Sequence, residues 1–123
     1  MNLKTSITLD FPNNRIRVHN SSLRVLQFPD YIRLLVNPME KIIALQISDG
    51  EDSRSQRLLG RYGKSKDRID LCSKELMEKL LLCGDWDLTK TYRFQGIPRL
   101  EEGMIIYPIS GTPEHSNSAN DTI

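Results

Sequence analysis

The chain has 123 residues, 38% of them hydrophobic, with 17 Lys and Arg against 16 Asp and Glu for a net charge of +1. That length closes a single core without metal or disulfide staples, and the charge balance excludes a polycation, so nucleic-acid affinity would have to come from local clustering. Cys72 and Cys83 form no CxxC and accompany no His pair, which speaks against a zinc site and predicts reduced thiols in a cytoplasmic protein. Neither the N-terminus nor Leu76 to Cys83, interrupted by Glu78 and Lys79, has the pattern of a signal peptide or a membrane span.

Ser6 to Leu9 alternates polar residues with Ile7 and Leu9 and predicts a short strand that turns at Phe11-Pro12-Asn13-Asn14. Arg15 to Val18 resumes the alternation, with Ile16 and Val18 on one face and Arg15 and Arg17 on the other. Asn20 is positioned as the N-cap of a brief helix with Leu23 and Leu26 as its apolar stripe, stopped at Phe28-Pro29-Asp30. Tyr31 to Val36 and Ile42 to Ile47 predict an antiparallel hairpin across Asn37 to Lys41. The polar stretch 48–57, with Asp49, Glu51 and Asp52 around Gly50, reads as a linker.

Leu58 to Tyr62 reads as a weak strand, Gly63 to Asp67 as a polar turn, and Arg68 to Leu71 as another alternating strand. Ser73 caps the clearest helix, which runs to about Cys83 with Leu76, Met77, Leu80 and Leu81 on one face and Gly84 as its stop. Tyr92 to Ile97 and Met104 to Ile109 predict a second hairpin, with Pro98 to Gly103 as loop and Pro108 suited to a sheet edge. Trp86 is read as a plug over the helix end, and residues 110–123 as a disordered tail.

The same order of elements occurs twice. An offset of 53 matches Arg15, Ile16, Val18, Asn20 and Leu23 with Arg68, Ile69, Leu71, Ser73 and Leu76, and an offset of 62 matches Ile42, Ile43, Leu45 and Ile47 with Met104, Ile105, Tyr107 and Ile109. The expected fold is therefore α+β, mainly β: one domain over 1–109, made of two tandem strand-strand-helix-hairpin repeats at about 5–47 and 58–109 that close one pseudo-twofold barrel.

Leu9-Asp10, Arg15-Ile16-Arg17-Val18 and Leu23-Arg24 resemble the motif of AbrB-type and MraZ-type bacterial transcription factors: an acidic residue, a basic residue, an apolar strand and a Leu-Arg helix. Arg68-Ile69 and Leu76 repeat it in the second half, with Gly63 at the acidic position. Asp10 and Arg15 stand one residue further apart than is usual there, Asn14 replaces a Gly, and the proline before the helix is missing. The resemblance implies a swapped-hairpin barrel that presents basic loops to double-stranded DNA, alone or as a homo-oligomer.

Two basic clusters fit that implication, Arg15, Arg17 and Arg24 in the first half and Arg61, Lys64, Lys66 and Arg68 in the second. Asn14, Arg15, Arg17, Arg24, Lys64, Lys66 and Arg68 are the candidate DNA-binding residues: cations for phosphates, and Asn14, Arg15 and Arg17 for base edges. No catalytic motif occurs, and His19 and His115 are the two histidines, so no enzyme, cofactor, metal or small-molecule substrate is expected. The competing expectation is a protein-binding module that offers strand edges or Tyr31, Tyr92 and Tyr107 to a partner.

Overall fold

The computed structural model describes residues 4–58 and 68–109. The expected strand 58–62 beyond Leu58, the turn 63–67 and the tail 110–123 lie outside these residues. Among the described residues nine strands, β1 (Ser6–Asp10), β2 (Arg15–His19), β3 (Tyr31–Asn37), β4 (Ile42–Ile47), β5 (Gln56–Arg57), β6 (Arg68–Leu71), β7 (Thr91–Gln95), β8 (Ile97–Arg99) and β9 (Met104–Pro108), accompany two α-helices, α1 (Asn20–Val25) and α2 (Lys74–Leu81). The described strands form two antiparallel sheets, a first in the order β6-β2-β1-β7 and a second in the order β5-β3-β4-β9-β8.

Alternation along the strands builds the core between them. Ile7, Leu9, Ile16, Val18, Ile69, Leu71 and Phe94 of the first sheet are buried, as are Ile32, Leu34, Ile43, Leu45, Ile105 and Tyr107 of the second. Leu23 and Leu26 enter from α1 and its end, Met77 and Leu80 from α2, all in one cluster. The Ser73 hydroxyl accepts the Leu76 N–H and caps α2 as expected. Asn20 does not cap α1. It is the first helical residue; His19 occupies the cap position in extended conformation, without a side-chain cap bond. α2 also ends earlier than its pattern suggested, at Leu82 in right-handed conformation rather than on a left-handed glycine.

The second predicted hairpin is divided between the sheets. β7 pairs with β1, whereas β8 pairs with β9. Gly96 joins them, its N–H donating to the Thr5 carbonyl at 3.0 Å as the last bond of the first sheet. A Cβ at Gly96 would stand 2.5 Å from Ile105 Cγ2 and 2.7 Å from Tyr107 Cε2, so only glycine lets the strand pass so close to the core at this corner. The polar stretch 48–57 is likewise more than a linker. Gln56 and Arg57 pair with β3, Ser48 N–H donates to the Tyr31 carbonyl, and Asp52 forms an ion pair with Arg33. Pro108 faces Ile42 at the end of an interior strand, past the last β8 pair, Ile97 with Ile106, where the missing N–H costs no ladder bond to β8.

The strands that the two offsets match in the sequence pair with one another, β2 with β6 and β4 with β9. Between β2 and β6, Ile16 faces Leu71 and Val18 faces Ile69, with Arg17 and Asp70 at the centre. Between β4 and β9, Ile43 faces Tyr107 and Leu45 faces Ile105 around the central pair Ala44 and Ile106.

Candidate nucleic-acid interface

The outward face of the first sheet follows from its registers, because directly paired residues point to the same side. In its central row Asp70, Arg17, Thr8 and Arg93 stand side by side; Arg68 and His19 lie next to each other in one flanking row, and Arg15, Asp10 and Thr91 form the other. Arginines thus occupy four outward positions, 15, 17, 68 and 93, against two carboxylates, and none of these positions holds Phe, Tyr or Trp.

The β1–β2 turn sets this arrangement. Pro12 opens a single 3-10 turn over Phe11–Asn13, and Asn14 closes it in the left-handed conformation with φ 52°. Asparagine accepts that conformation at little cost. The turn brings Asp10 opposite Arg15. Arg15 Nε donates to Asp10 Oδ2 at 2.7 Å, and Asn13 Nδ2 donates to both carboxylate oxygens. Burial alone would raise the Asp10 pKa; the bonds from Asn13 and Arg15 outweigh it and hold the carboxyl below its ordinary value. Behind the turn, Phe11 packs on Trp86 at 5.3 Å between ring centroids, while Trp86 Nε1 donates to the Leu80 carbonyl at 2.7 Å. Trp86 therefore ties the turn to the end of α2.

Asp70 gathers the remaining arginines. Its Oδ1 accepts from Arg17 Nε at 2.9 Å, and its Oδ2 lies 3.4 Å from Arg15 Nη1 and 3.6 Å from Arg68 Nε. Beneath these long side chains Ser6, Thr8 and Asp10 are buried, so all of β1 is covered on both faces. Arg93 Nη2 donates to Ser6 Oγ, and His19 Nε2 is 2.7 Å from Thr8 Oγ1.

Arg15, Arg17 and Arg68 are thus brought together from two halves of the sequence, with Asn14 exposed at the edge of the group in its turn. Arg24 is exposed in the last turn of α1, on a different element. Lys64 and Lys66, like Arg61, lie outside the described residues. Arg93 was not among the sequence candidates: it belongs to no charge run, although the alternation Tyr92-Arg93-Phe94 already set it opposite the apolar face. Asp70, read only as a polar strand position, is the hub of the cluster.

Cys72 is exposed and Cys83 buried, both free, and burial pushes the Cys83 thiol pKa up. Among the described residues no group of three His, Cys, Asp or Glu is placed to hold a metal, and no helix is long and apolar enough to cross a membrane. No protein-family model matches the chain, and comparisons with curated proteins and with solved structures return no match.

Proposed function

We propose that the chain is a small DNA-binding regulator of the AbrB and MraZ type, built from two repeats that close a pseudo-twofold barrel, and that the outward face of the first sheet binds the phosphates of a duplex. The observation that carries this reading is the set Arg15, Arg17, Arg68 and Arg93 on one sheet face. Guanidinium forks match phosphate oxygens. A face without Phe, Tyr or Trp offers no platform for unstacked bases, which favours duplex over single strands. The pairing of sequence-matched strands with one another, β2 with β6 and β4 with β9, supports the repeat architecture.

Anisotropy of a labelled short duplex, titrated at several salt concentrations, tests the reading. Each phosphate contact steepens the log–log dependence of affinity on salt by about 0.9. Arg17→Ala weakens binding and flattens that dependence, while Asp70 keeps Arg15 and Arg68 as neighbours and the fold is retained. Affinity that ignores both salt and Arg17→Ala contradicts it. A protein partner is the second reading, favoured by Ile97 and Leu100, each about half exposed at the edge of the second sheet; co-purification of a partner insensitive to Arg17→Ala selects it.

A further inference from the structure

The two carboxylates of the arginine face differ in kind. The Asp10 side chain is 5% exposed, underneath Arg15 and fixed by Asn13, and serves the hairpin. The Asp70 side chain is 27% exposed and stands on top of the face, in its central row, touching Arg17, Arg15 and Arg68 at once. Three guanidinium groups converging on one oxyanion is the arrangement a phosphate requires. Here the oxyanion belongs to the chain itself. The offset of 53 that relates the halves equates Asp70 with Arg17, so a negative charge stands where the other half carries a positive one.

We propose that Asp70 is an internal competitor for the polyanion: in the free protein its carboxylate holds the guanidinium groups of Arg15, Arg17 and Arg68, and binding exchanges those contacts for phosphate. This rests on the DNA-binding reading above. Part-exposed ion pairs contribute little net stability, so exchanging them costs little; the carboxylate then stays beside the incoming phosphate and repels it. Asp70 sets the ionic strength at which the face releases its ligand, and keeps the arginines paired and ordered when no ligand is present.

The test uses the full chain and a labelled short duplex of mixed sequence, with Asp70→Asn and Asp70→Glu compared with wild type. Asp70→Asn retains an oxygen to accept the Arg17 Nε bond but loses the charge. It is expected to bind about tenfold tighter at low salt, while Asp70→Glu, which keeps the charge, stays within about threefold of wild type. Circular dichroism melts establish that both variants fold. Tighter binding by Asp70→Asn alone supports the competitor. Wild-type binding with Asp70→Asn equal or weaker overturns it, makes Asp70 an aligner of the arginines, and leaves the DNA reading standing. Absence of binding by wild type and Asp70→Asn alike removes both.

Discussion

Arg17 and Asp70 face each other at the centre of the β2–β6 ladder, 53 residues apart in sequence and joined by a hydrogen bond of 2.9 Å. This pair links the two halves of the sequence, and Asp70 is the part-exposed carboxylate of the arginine face. The ion pairing of the arginine face turns on it. The surrounding residues have consequences that are measured separately.

Asp10 ties acid stability to the β1–β2 turn. Its carboxyl pKa is held below the ordinary value of 3.8 in the folded chain. The stabilisation is therefore complete above the unfolded-state value and is lost as pH falls through the folded one. Urea midpoints should drop as pH falls below about 4. Asp10→Asn should remove part of that slope and cost roughly 1–3 kcal/mol at neutral pH, because Arg15 loses its closest partner over a buried site. An unchanged slope contradicts the assignment.

The two sheets are joined by a buried chain of hydroxyls. Tyr107 Oη donates to Ser22 Oγ at 2.7 Å, and Ser22 Oγ donates to the Ser6 carbonyl at 3.0 Å. Ser22→Ala leaves the Tyr107 phenol without its acceptor and takes one donor from the Ser6 carbonyl, whereas Tyr107→Phe removes a single donor. The expected losses are about 2 kcal/mol and about 1 kcal/mol, read by urea unfolding. Burial also raises the Tyr107 pKa well above its ordinary value of 10.0. Stability attributable to it is present below that value and declines at more alkaline pH, and Tyr107→Phe should flatten the alkaline limb.

Gly96 is the corner at which one strand leaves the first sheet for the second. Gly96→Ala should destabilise by about 1–3 kcal/mol, since the new methyl meets Ile105 and the Tyr107 ring, both fully buried and unable to yield. A melting temperature equal to wild type would show that the corner has room.

Much of the element order was legible because apolar alternation marks strands directly: β2 at Arg15–His19, β4 at Ile42–Ile47 and β6 at Arg68–Leu71 begin where the pattern begins. Pairing was less accessible. Tyr92 to Ile97 reads as one strand, yet its two ends bond to different sheets, which depends on the space available beside Ile105 and Tyr107 rather than on local propensity. The stretch 48–57 is too polar in composition to predict order; the Ser48 bond to the Tyr31 carbonyl, the pairing of Gln56 and Arg57 with β3 and the Arg33–Asp52 pair hold it. The pairing of Arg15 and Arg17 with Asp70 is not legible in sequence proximity, because Asp70 reaches them across a ladder. The polar contacts of buried Ser6 and Asp10 arise in the same way, from Arg93 and Arg15 on neighbouring strands.

The central claim, that the arginine face of the first sheet meets duplex phosphates, is tested most directly by NMR titration of the isotope-labelled chain with a short duplex. The account predicts that Arg Nε–H resonances of Arg15, Arg17 and Arg68 and backbone signals of Thr8, Asp70 and Arg93 move together, and return on adding salt. Shifts absent from this face, or confined to β8 and β9 of the second sheet, would contradict it.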